Sequence, residues 1–260
     1  MEESSVGGRQ SDGAEKKTRQ QTHEIVIDAP VEAVWKAIAD GEELTRWFVE
    51  EASVEPGVGG TFSISWGGDQ KGTSRIDAWE PNKKLRVVLG PMDMGKAKYD
   101  GTNPMVDEYT IERRGNKTVL RLVSSGIPDA PEWDGFYNGT NTGWESFFRT
   151  LRHYLEHHPG KPRTTITIMG ALPGTPEDAF PKLRAALAPK GDIVFEQPSA
   201  VIEATIREFD DAYFWQTMSC SGGKSFVYAI LSLYGKSPAE VEAIRATWQP
   251  WLKQVLGMDS

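Results

Sequence analysis

The residues of this chain that could do chemistry are few, and most fail on spacing. Four histidines occur, His23, His153, His157 and His158, and none stands in a metal-binding pattern such as His-Glu-x-x-His. His157 and His158 fall at a predicted helix end, where a cationic side chain favours the helix dipole, so a capping role is expected and a metal site is not. Ser219-Cys220-Ser221-Gly222-Gly223-Lys224-Ser225 ends like a phosphate-binding loop. That pattern demands glycine where Met218 stands, and the segment lies between two predicted strands, so it reads as a hairpin turn. No Gly-x-Ser-x-Gly elbow occurs. Asp107 and Glu108 are neighbours on a predicted strand and point to opposite faces, so at most one enters a cavity. An inward Glu108 among apolar residues would carry a raised pKa and could act as a general base. The parity of Tyr109 and Ile111 turns it outward. No catalytic residue, metal ligand or cofactor is assigned. The single cysteine, Cys220, excludes an intramolecular disulfide and a multi-thiolate zinc site, and is expected to be buried and inert.

The elements that must position any site are legible from periodicity. His23 to Ile27 reads as a first strand ending at Asp28-Ala29-Pro30, with Asp28 a candidate cap for a helix striped by Val31, Val34, Trp35 and Ile38. A short helix over Glu42 to Phe48 follows. Thr61 to Trp66, Thr73 to Trp79, Leu85 to Leu89, Val106 to Arg113 and Thr118 to Ser124 read as strands joined by tight turns, the first of these at Gly67-Gly68-Asp69, which argues for an antiparallel meander. Gly90 to Met105 has no clear pattern. Trp144, Phe147, Phe148, Leu151, Tyr154 and Leu155 recur at helical spacing and predict a helix over about Thr142 to His157.

From Thr164 a smaller α+β unit is expected. Its signals are a strand at Ile166 and Ile168, a capped helix from Thr175-Pro176-Glu177-Asp178, four further strands, and a capping box at Ser237-Pro238-Ala239-Glu240 that opens a last helix. Pro181 and Pro250 fall inside these helices, where they should introduce kinks. Pro30 to Lys36 and Pro176 to Lys182 share Pro, an acid, Ala, an apolar residue and Lys at equal offsets, as in a weak internal repeat.

The chain has 260 residues, room for two cores. With 29 Lys and Arg against 37 Asp and Glu, its net charge of -8 disfavours nucleic acid and anionic membranes as partners. Residues 1–21 are poor in apolar side chains and are expected to be a disordered tail. No secretory h-region or membrane-span run is seen, which makes a cytoplasmic location the expectation.

Ile27-Asp28-Ala29-Pro30-Val31-Glu32-Ala33-Val34-Trp35, then Leu44-Thr45-Arg46-Trp47-Phe48, then Gly59-Gly60-Thr61-Phe62, then Gly143-Trp144 together resemble the activator-of-heat-shock-ATPase-like (AHSA1-like) branch of the START-like (SRPBCC) superfamily. The resemblance implies an α+β helix-grip fold over 22–161, a curved antiparallel sheet around a long C-terminal helix, with 164–260 a second, smaller α+β domain and a candidate shortened repeat. It also implies a cavity between sheet and helix. Trp47, Phe48, Phe62, Trp66, Tyr109, Trp133, Phe136, Tyr137, Trp144 and Phe148 fall where that pocket or its rim would lie, with Tyr109 and Tyr137 as polar handles. The expected function is binding of a small apolar or amphipathic molecule there, without catalysis. The alternatives are a cyclase- or hydratase-type enzyme, which needs an inward acid or base beside the pocket, and a chaperone-associated or other protein-interaction role, including a homodimer, using exposed aromatics such as Trp133 and Phe136. No Trp-His-Trp-Glu-Glu-type string of the eukaryotic chaperone activators is present.

Overall fold

The computed structural model describes residues 17–68, 71–94, 97–99, 101 and 103–258. Residues 1–16 of the expected tail, and Asp69 of the expected turn, lie outside them. In chain order the elements are β1 (Thr18–Ile27), α1 (Val31–Ala39), α2 (Gly41–Thr45), β2 (Glu51–Val54), β3 (Thr61–Ser65), β4 (Lys71–Glu80), β5 (Lys84–Leu89), β6 (Met92–Met94), β7 (Ala97–Tyr99), β8 (Val106–Arg114), β9 (Lys117–Pro128) and α3 (Asp134–His157). The second unit comprises β10 (Arg163–Leu172), α4 (Pro176–Leu187), β11 (Gly191–Gln197), β12 (Val201–Ile206), β13 (Ala212–Ser221), β14 (Lys224–Tyr234) and α5 (Pro238–Leu256).

Seven strands form one antiparallel sheet in the order β1-β9-β8-β5-β4-β3-β2, and five form another in the order β10-β14-β13-β12-β11. In each unit the first strand pairs with the last and the remaining strands follow as a meander, with a long helix after them. The second unit thus repeats the plan of the first with two fewer strands. This is the α+β helix-grip architecture, twice in one chain.

Strand alternation decides what each sheet presents to its helix. On β1, Gln21, His23, Ile25 and Ile27 are buried and their neighbours exposed. Along α3 the buried stripe is Trp144, Phe148, Leu151 and Leu155. In the second unit Val241, Trp248, Leu252 and Leu256 of α5 close a core with Ile166, Ile168 and Leu231.

Several sequence expectations need correction. β1 begins at Thr18, inside the stretch assigned to the tail, because Arg19 and Gln21 have partners on the far side of the domain. The Arg19 guanidinium donates to Asp134 and to the Pro128 carbonyl, and Gln21 Nε2 donates to the Tyr137 carbonyl. α3 starts at Asp134, eight residues before the expected start at Thr142. Its first turns carry Gly135, Gly139 and two asparagines, weak helix formers that only tertiary contact keeps helical. Asp28 does not cap α1, whose N-cap is Pro30, and instead its backbone N–H donates to Glu156. Cys220 is exposed near the β13–β14 turn rather than buried. The caps at Thr175 and Ser237 form as expected. The turn at Gly222-Gly223, with φ of 58° and 74°, closes the β13–β14 hairpin, so that string is no phosphate loop. Among the described residues no helix is long and apolar enough to cross a membrane.

The outer side of α3 packs on the second sheet, so α3 lies between both units. Glu203 on β12 is fully buried and accepts hydrogen bonds from Ser146, Arg149 and Tyr213. The junction between units is also pinned, with Arg163 donating to the carbonyls of Trp47 and Val49. His153 and His158 both hydrogen-bond the Asp211 carbonyl through Nε2, at 2.8 and 3.3 Å, and His158 stacks on Tyr234 with centroids 4.4 Å apart. These two imidazoles therefore serve the interface rather than the helix dipole.

Burial, and then repulsion from His158, His157 and Arg152, pushes His153 down to about 3, and burial lowers His158 as well. A depressed histidine stabilises the fold fully above its unfolded value near 6.5, and that stability is lost as pH falls below it, because the unfolded chain takes up the proton first. His153 alone should remove about 2 kcal/mol between pH 7.5 and pH 5. Denaturant melts of the parent and of His153→Gln at the two pH values should show this loss as the difference between them, which removes the opposite contribution of other titrating groups. An identical change with pH in parent and variant would contradict the buried neutral state.

Candidate functional site

Along β8 the inward residues are Asp107, Tyr109 and Ile111, with Met105 just before the strand, and along β9 they are Leu120, Leu122 and Ser124. Register aligns them into rows across the sheet. Gln21, Ser124 and Asp107 form one row, and His23, Leu122, Tyr109 and Leu85 the next. The grip therefore contains a polar band, Gln21, His23, Asp107 and Ser124, inside an otherwise apolar interior.

Within that band Ser124 Oγ donates to Asp107 Oδ1 at 2.5 Å. Burial pushes the Asp107 carboxyl up to about 6, against the pull of the serine hydrogen bond. Tyr109, buried on the same face, is held well above the usual phenol range by burial and by the nearby Asp107. Burial lowers His23, favouring its neutral form, and its Nε2 has no hydrogen-bond partner among the described residues. Gln21 ties the band to α3, reaching the Tyr137 carbonyl and, at 3.2 Å, Thr140 Oγ1.

On one side of the band stands an aromatic stack. Trp144 is 8% exposed, lies parallel to Phe48 at 5.2 Å, and meets Tyr109 and Phe148 edge-on at 6.0 and 5.9 Å. On the other side a small cluster of Tyr99, Met105, Ile127 and Trp133 closes the end of the grip, with Phe136 and Tyr137 against it. Gly126 makes this closure possible. Its φ is 80°, and a Cβ there would lie 2.2 Å from the Pro104 carbonyl, so only glycine lets that loop lie on β9.

The ten residues singled out from sequence thus divide among four places. Tyr109, Trp144, Phe148 and Phe48 come together in the stack, and Phe62 is buried in the same core. Trp133, Phe136 and Tyr137 form the end cluster, where the Arg19 guanidinium lies 4.6 Å over the Tyr137 ring. Trp47 is locked by an N–H bond to the Ala37 carbonyl. Trp66 is 39% exposed and meets Phe48 edge-on, on the rim of a cleft between the two units. The polar band was missed, although a signal existed: the parity that turns Tyr109 and Ile111 inward turns Asp107 inward with them. Among the described residues no group of His, Cys, Asp and Glu is placed to hold a metal ion.

Residues 28–156 match the sequence model of a family described as Activator of Hsp90 ATPase homolog 1-like protein. Among solved structures, protein MLL2253 from Mesorhizobium loti is 27% identical, covering 54% of this chain and 98% of its own, with a TM-score of 0.47. The Aha1 dimer from Colwellia psychrerythraea is 22% identical, covering 55% and 99%, with a TM-score of 0.47. The di-domain ARO/CYC BexL, from the BE-7585A biosynthetic pathway, is 14% identical, covering 92% and 97%, also with a TM-score of 0.47. No curated protein sequence matches the chain.

Proposed function

Residues 28–156 form a domain of the family of Activator of Hsp90 ATPase homolog 1-like proteins, and from that premise we propose that the chain binds a small amphipathic molecule inside its first helix grip, without transforming it. The observation that carries this reading is a polar band between two apolar clusters, with Gln21, His23 and Ser124 buried and Asp107 half-buried. A carboxyl raised to about 6 and an unpartnered imidazole nitrogen are costly inside a core, and both are satisfied by a ligand whose apolar body lies against Trp144, Phe148 and Tyr109 and whose polar end meets Asp107, Ser124 and His23. Phe48 and Phe62 back the stack, Trp133, Phe136 and Tyr137 close the far end, and Trp47 packs behind Phe48, while Trp66 lies outside the grip on the rim of the cleft between the units.

The test is pH-dependent binding of a neutral apolar fluorophore, N-phenyl-1-naphthylamine. Such a ligand removes the remaining water from Asp107 and so prefers the protonated carboxyl. Affinity should fall about tenfold from pH 5 to pH 7, one unit above the carboxyl's value, and the dependence should vanish in Asp107→Asn. A flat profile in the parent would overturn the site.

One observation favours a second reading. Asp107 is the inward acid that a cyclase- or hydratase-type reaction requires, and a group that titrates near 6 can both accept and donate a proton near neutrality. In that case Asp107→Asn would keep ligand affinity at low pH and lose turnover. A protein-interaction role resting on Trp133 and Phe136 draws no support from their packing, since Trp133 is 5% exposed and Phe136 lies edge-on against it.

A further inference from the structure

The cleft between the two units, a cavity of about 40 Å³ that opens to solvent, is divided from the grip interior by Phe48 and is walled by side chains of both units. Its wall is a continuous aromatic arc. Trp66 meets Phe48 at 5.3 Å, Phe48 meets Phe147 at 4.9 Å, Phe147 reaches Trp215 across the interface at 6.0 Å, and Trp215 meets Tyr228 at 5.5 Å.

Arg163 lines the same cleft. It donates to two backbone carbonyls, of Trp47 at 2.7 Å and Val49 at 2.9 Å, and among the described residues it has no carboxylate within ion-pair distance. Its charge is therefore hydrogen-bonded without a close ion pair, and the Glu50 carboxylate offsets it only from beyond ion-pair distance. Glu50, the acid of the lining, faces the turn at Gly67, where a glycine Cβ would lie 3.2 Å from its Oε2. The arc also contains an unsatisfied donor, since Trp215 Nε1 is buried without an acceptor among the described residues.

We infer that this cleft is a second ligand site, for a flat aromatic anion such as an aryl carboxylate or phenolate, with its ring against the Trp66 to Tyr228 arc and its charge towards Arg163. Aromatic faces accept a planar ring edge-on or offset, and a guanidinium recognises a carboxylate or phenolate oxygen through its remaining N–H groups. Hydroxyls of Thr165 and Thr167 on β10 supply further polar contacts. The site needs both units, which gives the second one a role in recognition. It does not depend on the grip interior being occupied.

The experiment compares 1-naphthoate with its neutral isostere 1-naphthalenemethanol, by calorimetry on the full chain at pH 7.5. A charge-assisted contact worth about 1.5 kcal/mol should make naphthoate bind about tenfold tighter. Trp66→Ala, an exposed rim change that spares both cores, should weaken naphthoate about tenfold, while Asp107→Asn should leave it unchanged. Arg163→Gln should abolish the preference for the anion. Because Arg163 also braces two carbonyls, the parent's preference and the Trp66→Ala result stand as independent tests should that variant misfold. Equal affinity for the two compounds, an unaffected Trp66→Ala variant, or loss of binding in Asp107→Asn would each overturn the assignment.

Discussion

Arg149→Met should destabilise the protein by about 3–5 kcal/mol, the cost of leaving a buried charge without its partner. Glu203 is completely removed from solvent on β12, and two of the hydrogen bonds to its carboxylate come from the Arg149 guanidinium, both at 2.7 Å. Ser146 and Tyr213 supply the rest, but hydroxyls do not neutralise the charge. The pair spans the two units, so the loss falls on their docking and a second unfolding transition should emerge in denaturant melts. Glu203→Met combined with Arg149→Met should recover much of the loss, because two buried apolar side chains replace two buried charges. A single variant within about 1 kcal/mol of the parent, as for an exposed ion pair, would show that Glu203 is solvated in solution.

Trp144→Ala carries the second large effect. Truncating a buried indole costs about 3–5 kcal/mol, and here it opens a void facing Phe48, Tyr109 and Phe148 together, at ring distances of 5.2 to 6.0 Å. Trp144→Phe keeps a ring in the offset stack on Phe48 and should melt close to the parent in a thermal scan. It should nevertheless change affinity for N-phenyl-1-naphthylamine, because it reshapes the wall that Trp144 makes with Tyr109 and Phe148, where the ligand's apolar body is proposed to lie. Unchanged affinity in a stable Trp144→Phe variant would confine Trp144 to a packing role.

What was legible in the sequence followed the strength of periodicity. The stripe from Trp144 to Leu155 located the buried half of α3, but its first two turns carry glycines and asparagines, and they are helical because Gln21 and Arg19 hold them against β1. That contact spans more than a hundred residues, and no local pattern encodes it. The same long-range pairing drew Thr18 to Gln21 out of the expected tail. Tyr109 and Ile111 mark the inward face of β8, and Asp107 shares their parity while Glu108 does not. Among the aromatics, composition marked them for the interior without telling stack from rim. Trp66 lies just past the end of β3, where alternation no longer constrains it. Phe147 and Trp215 meet only because the second sheet packs on the outer side of α3, a tertiary fact that neither unit's sequence contains alone.

The central claim, an amphipathic molecule held in the first grip between Trp144 and Asp107, is tested most directly by native mass spectrometry of the full chain equilibrated with N-phenyl-1-naphthylamine at pH 5 and pH 7. A one-to-one complex is expected, more abundant at pH 5, with the pH difference absent in Asp107→Asn. A spectrum of ligand-free protein alone at both pH values, or complex formation that neither pH nor Asp107→Asn alters, would contradict it.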